Sequence, residues 1–298
     1  MPLLAATAYP PGLGPWSLNV SVETLVVAEM LSLGVAYWAA LRLLGPRYVE
    51  PGERPATRAQ VAFFAAALVS LGVSEGWPLA GIANNYLFSA HMLQHLIFVL
   101  VVPPLLLLGT PHWLARALLK RSVVWPVMKK LTRPIPATII FNVVVVASHA
   151  PQVINLTVHN QGVHIADHLL LLGAGLIMWF PVLSPLPELP RLSYPAQMLY
   201  LFLQTILPTI PASFLTFASK PLYHYYAGVP RAFGLSALAD TQISGLLMKV
   251  GMGLELWTII AVIFFRWSSQ EERSARPPNE LEWQAVEREL NRTESQSN

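Results

Sequence analysis

His91-Met92-Leu93-Gln94-His95-Leu96-Ile97-Phe98-Val99-Leu100-Val101-Val102-Pro103-Pro104-Leu105-Leu106-Leu107-Leu108-Gly109, entered through Tyr86-Leu87-Phe88-Ser89-Ala90, is the stretch on which the fold turns. From residue 86 to 109 it contains no Asp, Glu, Lys or Arg. About 20 mostly apolar residues let an α-helix cross the hydrocarbon core of a bilayer. Further segments of this kind lie at about 22–43, 58–78, 135–150, 160–182, 195–217 and 241–265. Of 298 residues, 54% are hydrophobic and 12% charged, against roughly 25% charged in a soluble domain. Membrane helices also tolerate prolines, of which there are 26, because neighbouring groups satisfy the freed carbonyls. The expected fold is all-α: a polytopic membrane bundle of about seven transmembrane helices over residues 1–268, followed by a charged tail over 269–298.

The cations give the bundle a direction. Arg42, Arg47, Arg54 and Arg58 fall between the first two segments, and Arg116, Lys120, Arg121, Lys129, Lys130 and Arg133 between the third and fourth. Arg191 and the cations at and beyond Arg266 join them on the same side. That side holds 16 of the 19 Lys and Arg, with Lys220 and Arg231 opposite and Lys249 inside the last segment. The positive-inside rule puts the N-terminus outside and the C-terminus in the cytoplasm. It also gives the basic pI of about 9.2 a topological meaning, so no nucleic-acid partner is expected. The first cation is Arg42, so a cleavable signal peptide is not expected. Residues 113–121 read as a basic amphipathic stretch at the interface. In the tail, Asn279 followed by Glu282 reads as a helix start, with Leu281, Ala285, Val286 and Leu290 as a weak apolar stripe.

Seven of the eight histidines fall at or near the outer ends of the segments: His91, His95, His149, His159, His164, His168 and His224. His91/His95 and His164/His168 each have i, i+4 spacing, which puts both rings on one helix face. Both helices run inward from the outer side, so the pairs enter at similar depth. Opposed, they bring several ring nitrogens together, an arrangement suited to a metal. Neutral imidazole binds copper and zinc. There are no cysteines, so thiolate sites are excluded and Met92, Met248 and Met252 are the softest donors. Asp167 can orient a ring as an outer partner, and Asp240 and Gln242 stand at the outer entry of the last helix. Bis-histidine haem ligation and a metal-free polar network fit the same residues.

Glu29, Lys249 and Glu255 are intramembrane ionisable groups, costly unless they face partners, and a proton or ion route would use such residues. Pro103-Pro104, and Pro208 with Pro211, are expected to kink their helices.

The motif His91-Met92-Leu93-Gln94-His95-Leu96, running into Pro103-Pro104-Leu105-Leu106-Leu107-Leu108-Gly109-Thr110-Pro111, resembles the signature of the CtaG family of cytochrome c oxidase assembly factors, the kind associated with caa3-type oxidases. His164-Ile165-Ala166-Asp167-His168, Ser219-Lys220-Pro221-Leu222-Tyr223 and Ala239-Asp240-Thr241-Gln242 are similar to the same family, in its order, over about residues 20–268. Two positions depart from it. Asp167 stands where the family usually has Glu, and Thr241 replaces the first Gln of Asp-Gln-Gln. The resemblance implies a role in maturing a haem–copper oxidase in a bacterial cell membrane, with oxidase subunits as partners and copper handled on the outer side. It carries His91, Gln94, His95, His159, His164, His168 and Asp240 as functional residues, with Met92, Asp167 and Gln242 in support. A metal-ion transporter, a metal-dependent membrane enzyme and a metal-free scaffold are the alternatives for the same cluster. No nucleophile–base pair or phosphate loop marks the chain as an enzyme.

Overall fold

The computed structural model describes residues 24–120, 123–231, 233–275, 287–289 and 292. The expected apolar stripe of the tail, Leu281, Ala285, Val286 and Leu290, lies outside the described residues. The long helices are α1 (Val26–Arg47), α2 (Arg58–Glu75) continued by the short α3 (Leu79–Asn85), and α4 (Phe88–Gly109). Next come α5 (His112–Leu119), α6 (Val124–Leu131), α7 (Pro134–Ser148) and α8 (Pro151–His159). The chain continues through α9 (Gln161–Leu183), α10 (Tyr194–Thr216), the short α11 (His224–Gly228) and α12 (Ala237–Ser274). The described residues form helices joined by turns, as an all-α membrane bundle requires.

Among the described residues, six helices are long and apolar enough to cross a membrane, and α6 with α7, bent 87° at their junction, makes a seventh if the pair counts as one span. The fourth expected segment is therefore a 15-residue helix with a bent extension. Of the basic stretch expected at 113–121, residues 113–119 lie in α5, which buries Trp113, Leu114 and Ala115; Arg121 lies outside the described residues.

Local chemistry sets the helix starts. Thr57 Oγ1 accepts from the Gln60 backbone N–H while Gln60 Oε1 accepts from the Thr57 N–H, a reciprocal cap on α2. Asn160 Oδ1 accepts from Val163 N–H and starts α9. The proline pair leaves a definite mark on α4. Pro103 has no N–H to give the carbonyl four residues back, so the Trp179 indole N–H donates to Val99 O instead, at 3.0 Å. The turn before it, Ile97–Val101, widens to a π-turn. Pro208 likewise interrupts α10, between Ile206 and Thr209.

The sides of the helices divide sharply. On α9, Leu169 and Leu170 are 60% and 59% exposed, as lipid-facing residues should be, while the adjacent His168 is 5% exposed. The inner face packs Leu171, Met178 and Trp179 against Phe98, Leu100 and Phe141. Small residues let the helices close up, as usual where lipid removes a hydrophobic drive for association. Gly245 of α12 lies so close to α10 that a Cβ there would overlap the Thr216 backbone nitrogen and come within 2.6 Å of Ala212 O. Neither obstacle is a flexible side-chain end. Gly245→Val is therefore expected to cost about 1–3 kcal/mol by forcing the helices apart, read as a lower melting midpoint of the detergent-purified protein. An unchanged midpoint would show that this crossing does not hold the bundle.

Candidate metal centre

One end of the bundle, the one expected to lie outside, gathers polar groups from four helices. His91 and His95 come from α4, Asp167 and His168 from α9, Glu75 from the end of α2 and His149 from the end of α7. His164, one turn before His168, completes the set. Because i and i+4 share a helix face, α4 and α9 each contribute two stacked rings. Their centroids lie 4.4 Å apart for His91 and His95 and 4.2 Å apart for His164 and His168. Across the helices, His91 is 5.7 Å from His164, and His95 is 5.4 Å from His168 and 5.3 Å from His149.

Hydrogen bonds fix the α9 pair. The His168 Nδ1–H donates to Glu75 Oε1 at 2.7 Å, which leaves the lone pair on Nε2. His164 Nε2 lies 3.0 Å from that atom and donates to it. The α4 pair differs. His91 and His95 are 1% and 3% exposed, and none of their four ring nitrogens has a hydrogen-bond partner. Asp167 Oδ2 stands 3.7 Å from His95 Nε2, too far for a hydrogen bond, and is itself buried without one. Leaving a buried polar group unpaired costs about 1–3 kcal/mol. One nitrogen each from His91, His95 and His168 lie within 4.8 Å of one another. A tetrahedral ion with bonds of about 2.0 Å needs donors roughly 3.3 Å apart, so these rings would draw in on one.

The surroundings hold the rings in place. Gln94 Nε2 donates to Ser74 O at 2.5 Å and ties α4 to the end of α2 that carries Glu75. The segment before α12 closes this end: Tyr223 donates to His149 O, Tyr225 to Asn84 O and Tyr226 to Ala83 O. Burial pushes all three phenols up, so they remain protonated donors. At the opposite end of the bundle, Arg116 Nε forms an ion pair with Glu188 Oε1 at 2.8 Å, and the guanidinium holds that exposed carboxyl below its usual range.

Four expected residues thus meet as a cluster: His91, His95, His164 and His168. Asp167 stands beside it and Gln94 braces it. The structure keeps the others apart. His159 ends α8 exposed, its Nδ1–H on Asn155 O and its ring against Tyr225, and no hydrogen bond or ring contact joins it to the cluster. Asp240, expected to steer an ion, instead accepts from the Phe88 and Ser89 backbone N–H groups and the Ser89 hydroxyl. It caps the helix that carries His91. Gln242 Nε2 donates to Ala218 O, away from the rings. Met92 is fully buried among Phe88, Ile154, Tyr223 and Tyr226 and also borders a small cavity beside His95. Among the described residues, no hydrogen bond or ion pair links Glu29, Lys249 and Glu255 to the cluster; Lys249 lies over Phe217.

Two members of the cluster fell outside the expected site. His149 is 92% buried by virtue of its 8% exposure, with Nδ1 on Val145 O and Nε2 unpartnered. Glu75 is the other. Its signal was present, since it is the only charged residue in the run from 59 to 78.

No curated protein and no solved structure matches this chain. The model of the family described as "Cytochrome c oxidase caa3 assembly factor (Caa3_CtaG)" matches residues 35–270, which cover both histidine pairs, Glu75 and all but the first turns of the bundle, and the chain belongs to that family.

Proposed function

We propose that this chain binds copper at the histidine cluster and supplies it to a caa3-type cytochrome c oxidase during assembly, from the outer side of a bacterial plasma membrane. The observation that carries the reading is the pair of buried rings His91 and His95, each neutral imidazole holding one lone pair with no hydrogen-bond partner. A polar network built only for stability would satisfy its members, whereas donors awaiting an ion are left open. His168 Nε2 carries a lone pair fixed by Glu75, the carboxylate–histidine arrangement that orients metal ligands, and an ion would take it over from the His164 N–H that now donates to it. With only imidazole and carboxylate in reach, this cluster suits Cu(II) better than Cu(I). The basic loops at the opposite end of the helices support the outer placement, and oxidase subunits would be the clients. The cluster is least covered at His164 and Glu75, the latter with a side chain 28% exposed, and an ion would leave for its client by that side.

The test is direct. Full-length protein in detergent is loaded with Cu(II), desalted and measured for metal by mass spectrometry, with Zn(II) loaded in parallel. Copper retained in a fixed ratio to the chain is expected; no retention, or complete displacement by equimolar zinc, overturns the reading.

Glu75→Gln is expected to keep the fold and weaken copper binding about 10–100-fold, the usual effect of losing a carboxylate behind a ligand imidazole. Glu75→Asp should recover part of that loss. The measurement is competition with a chelator. Equal affinity in wild type and Glu75→Gln would remove Glu75 from the site.

A further inference from the structure

We infer a second metal station directly behind the histidine cluster, a thioether–imidazole site selective for Cu(I), with His95 common to both. The inference rests on the copper reading of the cluster, though its test reads the two separately. A cavity of about 20 Å³ opens among Met92, His95, His149, Met248 and Met252, and room of that order holds one water-sized particle. Three methionines and two histidines line it, from α4, α12 and the end of α7, together with apolar side chains such as Leu96, Val99 and Phe141.

The imidazoles present lone pairs. Val145 O accepts the His149 Nδ1–H at 2.6 Å, so the free lone pair of His149 is on Nε2, and that atom is buried with no partner. Neither ring nitrogen of His95 has a hydrogen-bond partner. The methionines are presented by an irregular backbone. Residues Leu247–Gly251 form a π-turn inside α12, a feature common at functional sites; Met248 lies within it and Met252 directly follows it, 6% exposed each. Methionines often fill gaps in cores. Here three of them border a cavity beside two histidines with unpaired ring nitrogens.

Thioether sulfur prefers Cu(I), and imidazole serves either oxidation state. The two stations therefore differ in kind. The outer cluster offers nitrogen and carboxylate oxygen, while the cavity offers sulfur and nitrogen. Shared through His95, whose ring centroid lies 4.4 Å from His91 and 5.3 Å from His149, they give one ion two neighbouring positions or two ions one common ligand.

The experiment loads full-length protein anaerobically with Cu(I), removes loose metal with a Cu(I) chelator, and records copper content and X-ray absorption at the copper edge. Wild type is expected to show sulfur in the copper shell. Met92→Leu/Met248→Leu/Met252→Leu, which conserves volume, should lose the sulfur signal and at least half of the Cu(I) retained, yet keep Cu(II) binding. His91→Ala/His168→Ala should lose Cu(II) binding and keep the sulfur-ligated Cu(I). A wild-type shell without sulfur overturns the second station and leaves the histidine cluster untouched. Sulfur persisting in the triple leucine variant overturns it too. Sulfur-ligated Cu(I) without any Cu(II) binding upholds the second station and overturns the outer one.

Discussion

Changing His91 and His168 together to alanine is expected to lower Cu(II) affinity by more than about 100-fold, beyond the 10–100-fold that an outer partner costs. The pair removes one ligand from each of the two facing helices, leaving His95 and His164 too poorly placed to enclose an ion. At about 1.4 kcal/mol per tenfold, the loss exceeds about 2.8 kcal/mol. Folding should survive it. His91 makes no hydrogen bond, so its removal relieves two unsatisfied nitrogens while opening a cavity, and the partners that His168 gives up, Glu75 and His164, are both partly exposed, so water can replace it. A variant with His91→Phe and His168→Gln keeps more of the volume and guards against a collapse unrelated to metal. In cells, both variants are expected to leave the caa3 oxidase short of copper and inactive while the chain itself accumulates normally. Oxidase activity equal to wild type would establish the metal-free scaffold instead.

Much of this was open to reading because lipid imposes strict demands. A span expected over 86–109 is present as Phe88–Gly109, and one expected over 160–182 as Gln161–Leu183. No water is available in the hydrocarbon core to satisfy a broken helix, so apolar length translates almost directly into structure. The bend between Leu131 and Pro134 escaped, because hydropathy carries no direction. The i, i+4 pairs were legible since they are local. Glu75 meets His168 across 93 residues of sequence, and nothing local announces that partnership. Asp240 shows the opposite failure. It was expected at the rings from its position at the outer entry of α12, but its carboxylate is taken up by Phe88 and Ser89 at the start of α4.

Asp240→Ala is accordingly expected to destabilise the protein by about 3 kcal/mol or more, chiefly through the loss of three buried hydrogen bonds to a carboxylate. Both oxygens are engaged: Oδ2 accepts from Phe88 N–H at 2.7 Å, and Oδ1 from Ser89 N–H at 3.0 Å and Ser89 Oγ at 2.6 Å. These N–H groups belong to the first turn of α4, where no intrahelical acceptor exists. An exposed cap replaced by alanine costs about 1 kcal/mol because water substitutes for it. Here Phe88 is 0% and Asp240 1% exposed, so water cannot. With about 2–4 °C per kcal/mol for a chain of this size, the melting midpoint should fall by roughly 6–12 °C. The first turn of α4 leads directly to His91, so a frayed start also displaces the first ligand and weakens copper binding. Asp240→Asn distinguishes the cap from a ligand. Its single carbonyl oxygen still accepts from the helix start, which should recover about half of the lost stability and nearly all of the copper affinity. If Asn restores the melting midpoint but not copper, then Asp240 touches the ion and the capping role alone is insufficient.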